Sequence, residues 1–402
     1  MTLNPNLKRL EPYPFELLKQ LVKAVQPPSS LKHIALSIGE PKHPPPEFVE
    51  RALEAAIGGI NHYPTTRGAE SLRSAIAEWL TRRYQLPDTS IDASTQILPV
   101  NGTREAIFAF TQTIIDASLG PTVVSCNPFY QIYEGAAILA GAEPWYLNCT
   151  AENDFIADLD SVPESIWQRC QLLHLCSPGN PSGAVMRLEQ MQHAIRLAHR
   201  YDFVVVSDEC YSEIYLHELD PPPGLLEASA RMGNADFKRC MVFHSLSKRS
   251  NLPGLRSGFA AGDASLIENF FLYRTYHGSA MSPTVQAAST AAWGDESHVV
   301  ENRRLYREKF TAVTTALRGV LSFPEPRASF YLWPETPIDD IAFARELYRR
   351  KHVSVLPGQF MSRHANGANP GCNRIRMALV ADTQECVEAA HRIASFIEEI
   401  QC

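Results

Sequence analysis

Residues 241–258 read MVFHSLSKRSNLPGLRSG, in which two short apolar runs flank a polar segment that contains Lys248. The apolar run Met241–His244 stops at Ser245, and Lys248 follows three residues later. A second short run, Gly258–Ala261, begins soon after Arg256. Short apolar runs without polar alternation are typical of strands buried on both faces of a sheet. Because ligands bind beyond the carboxyl ends of strands in open α/β sheets, Lys248 lies where a site is expected.

Similar apolar runs recur upstream and alternate with stretches of helical spacing. The predicted strands among them are Ile97–Val100, Thr122–Cys126, Leu172–Cys176 and Phe203–Ser207. The predicted helices include Ser71–Tyr84, Arg104–Ala117 and Leu188–Arg200. This alternation predicts an α/β fold, a large doubly wound domain with a mostly parallel sheet, over residues 49–295.

The two ends of the chain follow other patterns. Residues 1–48 are rich in proline, which interrupts helices, and are expected to form an N-terminal arm and part of a small domain. Residues 296–402 predict a smaller α+β domain. Its predicted elements are the helices Glu296–Leu321 and Asp339–Lys351, the strands Ser329–Trp333 and Arg374–Val380, and an amphipathic helix at the end of the chain.

Composition excludes several classes of function. The 402 residues carry 37 Lys and Arg against 44 Asp and Glu, a formal net charge of −7, which argues against nucleic acid as a partner. The sequence has neither an apolar stretch long enough to cross a membrane nor the apolar region of a secretory signal, so a cytoplasmic enzyme is expected. The nine cysteines form no C-x-x-C pair, and we expect no metal site.

Polar residues follow four of the predicted strands. They are Gly102-Thr103-Arg104 at a helix start, Asn180, Asp208 with Tyr211, and Ser245 with Lys248 and Arg256. A helix start, a hydroxyl and a guanidinium suit a phosphate group. A lysine amine can condense with an aldehyde, and an aspartate can keep a pyridine nitrogen protonated. Together these groups indicate pyridoxal phosphate as the cofactor.

The same residues carry a family resemblance. The run 245–258 closely resembles the lysine signature of the class I and II pyridoxal-phosphate-dependent aminotransferases of fold type I, with Ser257 in place of the usual aliphatic residue. Asn180-Pro181-Ser182-Gly183 resembles the family's Asn-Pro-Thr-Gly, and Asp208 with Tyr211 matches its Asp-x-x-Tyr. Arg376 matches its C-terminal arginine, so the resemblance covers nearly the whole chain.

The resemblance implies a role for each cofactor residue. Lys248 is the catalytic lysine, which attaches the cofactor and moves a proton. Asp208 pairs with the pyridine nitrogen, although a plain helix cap is the alternative from the sequence. Tyr130 stacks on the ring, with Phe129 as the alternative. The other implied contacts are Asn180 and Tyr211 to the ring oxygen, and Thr103, Arg104, Ser245, Arg256 and Tyr63 to phosphate.

Substrate and partner expectations come from the same resemblance. Arg376 is expected to bind the substrate α-carboxylate, with Gly39 and Asn180 beside it. Tyr63 is expected to reach the phosphate of a partner subunit, which implies a homodimer with shared active sites.

Residues 34–44, 127–135 and 248–251 are similar to the bacterial N-succinyldiaminopimelate aminotransferases. That similarity implies ping-pong transfer between glutamate/2-oxoglutarate and N-succinyl-2-amino-6-oxopimelate/N-succinyldiaminopimelate, in lysine and diaminopimelate biosynthesis. The aspartate branch of the family has an arginine a few residues before a Ser/Asn-Pro element, and none lies at that spacing before Ser282-Pro283. Arg67 and Arg249 are the candidates for the succinyl carboxylate. Another aminotransferase (aspartate, alanine or aromatic) or a carbon–sulfur β-lyase on the same fold remains an alternative.

Overall fold

Twelve strands and fourteen α-helices are found in the computed structural model, which describes residues 3–87 and 91–401. Numbered along the chain, the strands are β1 Ile34–Ala35, β2 Ile97–Val100, β3 Thr122–Asn127, β4 Glu143–Asn148, β5 Cys170–Cys176, β6 Val204–Asp208, β7 Cys240–Ser245, β8 Gly258–Gly262, β9 Tyr331–Leu332, β10 Val353–Ser354, β11 Leu356–Pro357 and β12 Ile375–Ala378. The helices are α1 Pro14–Val22, α2 Glu47–Ala55, α3 Glu70–Tyr84, α4 Thr103–Ile114, α5 Gln131–Leu139, α6 Glu164–Trp167, α7 Leu188–Tyr201, α8 Leu225–Arg231, α9 Leu246–Arg249, α10 Ala264–His277, α11 Pro283–Gly294, α12 Ser297–Leu317, α13 Asp340–Lys351 and α14 Thr383–Gln401.

Seven strands form the central sheet, in the order β2-β8-β7-β6-β5-β3-β4. Only β8 runs antiparallel to its neighbours, β2 and β7. The prediction of a mostly parallel sheet is therefore confirmed, and the predicted strands agree with the observed ones to within about two residues. The edge strand β4 was not predicted from the sequence.

Hydrophobic side chains cover both faces of this sheet. On one face a cluster includes Ile76, Trp79 and Trp293, all of which are buried. On the other face Phe110 and Phe270 pack against each other edge to face, with ring centroids 5.3 Å apart. Burial on both faces explains why the inner strands are mostly apolar and lack a polar alternation.

A second, smaller sheet is formed by β11, β12 and β9, all antiparallel. Helices α12, α13 and α14 surround a core that includes Phe310, Leu347 and Ile393. Strand β1 pairs with β10, so Ile34 enters the same core from the beginning of the chain. The domain boundaries at residues 48/49 and 295/296 stay predictions.

The N-terminal arm lies against the region where the two sheets meet. Helix α1 packs through Leu18 on Leu356 and Met361. This contact brings Tyr13 and Phe15, at the start of α1, to the edge of a cavity described below. None of the helices in the described residues is long and apolar enough to cross a membrane.

Candidate active site

A cavity of about 240 Å³ lies at the carboxyl ends of β5 and β6. It is bounded by residues from the large sheet, the small sheet and the N-terminal arm. Nine of the residues predicted from the sequence line it, namely Gly39, Thr103, Arg104, Tyr130, Asn180, Asp208, Tyr211, Lys248 and Arg376. The strand-end placement therefore brings together residues that are distant along the chain.

Lys248 lies in the short helix α9, which follows β7 directly. The hydroxyl of Ser245 caps this helix by accepting a hydrogen bond from the backbone N–H of Ser247 (3.1 Å). The Nζ of Lys248 donates to the carbonyl oxygen of Gly39 at 2.5 Å. Burial lowers the pKa of Lys248 to about 8, and the nearby cation of Arg376 acts in the same direction. A substantial fraction of this amine is therefore neutral near physiological pH, as a nucleophile requires.

Asp208 ends β6 and is buried. Its Oδ2 accepts a hydrogen bond from the phenol of Tyr133 (2.8 Å), and its Oδ1 accepts one from the backbone N–H of Cys210 (3.2 Å). Burial raises the pKa of Asp208. Asp208 forms no ion pair with any described residue, although it lines the cavity. A buried carboxylate in this position fits the protonated nitrogen of a pyridine ring.

A candidate anion-binding group lies around Gly102, at the start of α4. This glycine has φ +93° and precedes Thr103, the first residue of α4. A Cβ at position 102 would lie 2.2 Å from an Nη of Arg256, so the guanidinium is packed against the helix start. The side chain of Ser245 lies at the end of the neighbouring strand β7 and donates to the carbonyl oxygen of Ser257 (3.4 Å). Free N–H groups, a guanidinium and a hydroxyl together fit a phosphate group.

Arg376 lies in β12 and also lines the cavity. Its two terminal nitrogens donate to the Oδ1 of Asn180 (3.0 Å) and to the carbonyl oxygen of Ser37 (2.8 Å). The guanidinium lies 4.4 Å from the centroid of the Tyr331 ring. None of its partners among the described residues is a carboxylate, and its Nε is buried without a hydrogen-bond partner there. This buried cation can therefore accept the carboxylate of a ligand.

The aromatic residues divide clearly between cavity and core. Tyr130 lines the cavity, whereas Phe129 is 1% exposed and stacks on Tyr146. This placement favours Tyr130 over Phe129 as the residue that covers a bound ring. The phenol of Tyr211 lies 3.0 Å from that of Tyr331, at the floor of the cavity.

Besides Phe129, five residues named from the sequence do not line the cavity of their own chain: Ser245 and Arg256, described above at Gly102, and the three that follow. Tyr63 is fully exposed. Arg67 pairs with Glu268 at 2.6 Å. Arg249 is wrong as a candidate for a substrate carboxylate, because it is 2% exposed, pairs with Glu296 and donates to the carbonyl oxygen of Ala292. Its side chain stabilises the packing between α9 and α11.

Sequence reasoning missed several residues that line the cavity. Tyr133 lies three residues after Tyr130, and helical spacing could have placed both on one side of α5. Tyr331 is in the aromatic strand predicted from the sequence, but its position in the site could not be seen there. Tyr13 and Phe15 lie in the proline-rich arm, where no pattern indicates a site.

Comparisons with known proteins agree with this geometry. A family model described as "Aminotransferase class I and II" matches residues 32–393. An LL-diaminopimelate aminotransferase of Nitratidesulfovibrio vulgaris is 32% identical over 395 residues, covering 96% of this chain and 97% of that protein.

Two solved structures extend the comparison. An aminotransferase from Neisseria meningitidis is 48% identical, with a TM-score of 0.94, over 98% of this chain and 100% of the other. A probable N-succinyldiaminopimelate aminotransferase from Thermus thermophilus is 26% identical, with a TM-score of 0.84, over 95% of this chain and 99% of the other.

Proposed function

The chain belongs to the class I and II aminotransferase family, and from this premise we propose that it transfers an amino group between glutamate and the diaminopimelate skeleton. The family is pyridoxal-phosphate-dependent, and so is this aminotransferase. We assign the reaction to N-succinyl-2-amino-6-oxopimelate as acceptor and N-succinyldiaminopimelate as product, in lysine and diaminopimelate biosynthesis. The names of the two diaminopimelate aminotransferases among its relatives support this substrate class.

One observation carries the aminotransferase reaction: Lys248, Asp208 and Arg376 line a single cavity. When bound, pyridoxal phosphate supplies an aldehyde and a pyridine ring that withdraws electrons from the substrate α-carbon. The start of α4 with Thr103, together with Arg256 and Ser245, holds the phosphate in this proposal. Asp208 would keep the ring nitrogen protonated, because a nearby anion favours the charged form.

The remaining residues position the substrate and move protons. The Nζ of Lys248 is the base that takes the α-proton and the acid that returns it. Arg376 orients the substrate through its carboxylate, with Asn180 and Gly39 beside it. Tyr130 would cover the face of the cofactor ring, and Tyr211 would donate a hydrogen bond to the ring oxygen. Both amino acids of a ping-pong reaction can use Arg376, because both have an α-carboxylate.

The functional unit in this proposal is a homodimer with shared active sites. Ile57, Ile60 and Tyr63 belong to one segment, and all three are exposed, at 58%, 71% and 103%. Apolar side chains exposed together in this way favour an interface with a second copy. Tyr63 then reaches the phosphate of the partner's cofactor.

A second candidate substrate is free LL-diaminopimelate, because the relative at 32% identity is named for it. A panel of amino donors with 2-oxoglutarate as acceptor tests the proposal, measured as kcat/KM of the purified holoenzyme. We expect kcat/KM for N-succinyl-LL-diaminopimelate to exceed the values for LL-diaminopimelate, aspartate, alanine and phenylalanine. A higher value for LL-diaminopimelate would select the second candidate, and a higher value for any of the others would refute the proposed substrate. Release of pyruvate and ammonia from cystathionine would instead identify a carbon–sulfur β-lyase.

A further inference from the structure

The carbonyl oxygen that accepts from Lys248 belongs to a segment with little backbone support. Residues 38–45 lie between β1 and α2 and include three prolines, which have no N–H to donate. Within the described chain this segment makes no backbone–backbone hydrogen bond. Its hydrogen bonds there are the one from the Nζ of Lys248 to Gly39 (2.5 Å) and two at the ring of His43. The bonds of His43 are therefore the ones that hold this segment beside Gly39.

Both ring nitrogens of His43 contact side chains of α12. The Nδ1 lies 2.8 Å from the Oδ1 of Asn302, and the Nε2 lies 2.6 Å from the Nζ of Lys309. Asn302 and Lys309 are seven residues apart, about two helical turns, so they lie on one face of α12. Both are buried. The ring of His43 also packs against Tyr306 of the same helix, with centroids 4.7 Å apart.

These partners determine the protonation state of the imidazole. The Nδ2 of Asn302 donates to the carbonyl oxygens of Lys248 and Arg249, both at 3.3 Å, so its Oδ1 is the atom that accepts. The Nδ1 of His43 must then donate, and its Nε2 keeps a lone pair that accepts from the ammonium of Lys309. Burial lowers the pKa of His43, and the cation of Lys309 acts in the same direction. The ring is accordingly neutral near pH 7.

Asn302 connects this arrangement to the helix that carries Lys248. Its Oδ1 also accepts from the Nδ2 of Asn251 (3.0 Å), which lies just after α9. The side chain of Asn302 thus contacts both sides of the bond between Lys248 and Gly39, the lysine backbone directly and the segment of Gly39 through His43. Neither Asn302 nor His43 lines the cavity, so their effect on a reaction there must pass through other residues.

We propose that His43 is a positioning residue for Lys248. Held by Asn302 and Lys309, it keeps the carbonyl oxygen of Gly39 within hydrogen-bond distance of the lysine amine. This bond fixes the direction of the amine, and a misplacement of about 1 Å can cost about a hundredfold in rate. The inference rests on the proposed aminotransferase function, in which Lys248 attaches the cofactor and moves the α-proton, and deepens it.

His43→Phe tests the proposal, because it keeps an aromatic ring against Tyr306 and removes both hydrogen bonds. The rate constant of a single half-reaction is measured on the holoenzyme with the best donor of the substrate panel. At saturating donor it should fall about ten- to a hundredfold, the range for a hydrogen bond to a charged group. The dissociation constant of the donor should stay within about threefold of wild type, because Arg376 is unchanged.

A second measurement needs no amino acid. Apo-protein is mixed with pyridoxal phosphate at pH 9, where the amine of Lys248 is mostly neutral, and the rate of covalent attachment is followed. His43→Phe should attach the cofactor at least about tenfold more slowly than wild type. His43→Gln should recover most of the rate in both measurements, because its amide offers one donor and one acceptor.

Two further variants complete the design. His193→Phe is the matched control, since His193 is also half-buried and bonded through its Nε2, to the Oδ1 of Asp160 (2.8 Å), but lies on α7 outside the cavity. It should match wild type in both measurements. Lys309→Met removes the ammonium and leaves the bond between His43 and Asn302, so it should slow attachment by at least about threefold but less than His43→Phe.

A purely structural role gives a different result. The proposal is overturned if His43→Phe unfolds at a lower temperature but keeps both rates within about threefold of wild type. It is also overturned if His43→Phe and His43→Gln are slowed equally, or if the donor's dissociation constant rises as much as the rate falls. If His43→Phe does not fold, Lys309→Met decides, and an attachment rate equal to that of wild type overturns the proposal.

Failure of the proposed function can be told apart from failure of this inference. If the substrate panel refutes the proposed substrate, slow attachment in His43→Phe with recovery in His43→Gln still supports the role of His43. If the panel confirms the substrate and attachment is unchanged in His43→Phe, only the role of His43 fails.

Discussion

The phenol of Tyr133 donates a 2.8 Å hydrogen bond to the Oδ2 of Asp208, and both residues are buried. The ring of Tyr133 stacks on His174, with centroids 4.7 Å apart and an interplanar angle of 10°. Burial raises the pKa of Tyr133, so the phenol stays protonated and remains a donor. This arrangement orients the carboxylate and stabilises its charged form in a region where burial opposes charge.

Tyr133→Phe should therefore lower turnover while the ring stack and the fold remain. We expect kcat to fall about ten- to a hundredfold, because hydrogen bonds to charged groups contribute about 1.5–3 kcal/mol. Tyr146→Phe is the matched control, since the phenol of Tyr146 donates to Glu134 (2.6 Å) outside the cavity. Equal kcat values for the two variants would show that the bond to Asp208 has no role in positioning.

Cofactor attachment should depend on pH through Lys248. Burial lowers the pKa of this amine to about 8, below its unfolded value of 10.5, so the folded protein releases the proton first. The rate at which apo-protein incorporates pyridoxal phosphate should rise with pH and level off above about 8, after subtraction of the rate with free lysine. Between about pH 8 and 10.5 the unfolded chain still holds this proton whereas the folded apo-protein has lost it. The free energy of unfolding of the apo-protein therefore rises with pH over this range. An incorporation rate that still rises steeply above pH 9 would contradict the lowered pKa.

The close packing at Gly102 predicts a selective loss of cofactor binding. In Gly102→Ala the new methyl group would lie 2.2 Å from Arg256 and would also strain a backbone at φ +93°. The dissociation constant of pyridoxal phosphate should rise at least about tenfold, the effect of losing one charged hydrogen bond. Gly120→Ala also places a methyl group at a positive φ (+61°), in the left-handed helical region where the strain is smaller, with no atom within 4 Å, and should lower stability without changing cofactor affinity. If both variants bind the cofactor equally well, Arg256 does not form part of the phosphate site.

Arg376 should affect both substrates of the reaction alike. Arg376→Ala is expected to lower kcat/KM for glutamate and for the diaminopimelate substrate. The loss should correspond to about 2–5 kcal/mol of transition-state stabilisation for each, the range for a desolvated charge pair. Arg376→Lys should recover little, because one ammonium cannot replace a planar fork. Arg374→Lys is the control. Arg374 lies on the same chain segment, but its side chain pairs with Glu335, so this change should leave kcat/KM of both half-reactions unchanged. A loss limited to one substrate would mean that Arg376 contacts a side chain.

Much of this site was predictable because its residues follow buried strands. The run 241–258 predicts that Lys248 follows a buried strand, and Lys248 does lie just after β7 and line the cavity, since short apolar runs and polar strand ends are local properties of sequence. The edge strand β4 was missed because Glu143–Asn148 mixes charged, aromatic and polar residues and is mostly half-exposed. The antiparallel direction of β8 likewise cannot be predicted from the composition of that strand.

Contacts between distant segments account for the rest. Tyr13 reaches the cavity only because α1 packs on Leu356, a contact across more than 300 residues of sequence. Arg249 looked available for a substrate because it follows Lys248 directly, yet its pairing with Glu296 depends on the start of α12. Such partners from distant parts of the chain decide whether a charged side chain is available to a ligand or is held in an ion pair within the protein.

Reduction of the holoenzyme with borohydride, followed by peptide mapping, tests the central assignment most directly. We expect one phosphopyridoxyl group for each chain, attached to Lys248, and none in Lys248→Ala. Lys309→Ala is a useful control, because burial also lowers the pKa of Lys309 to about 8 although it lies outside the cavity. Label on Lys309 or any other lysine, or label that persists in Lys248→Ala, would show that Lys248 is not the residue that attaches the cofactor.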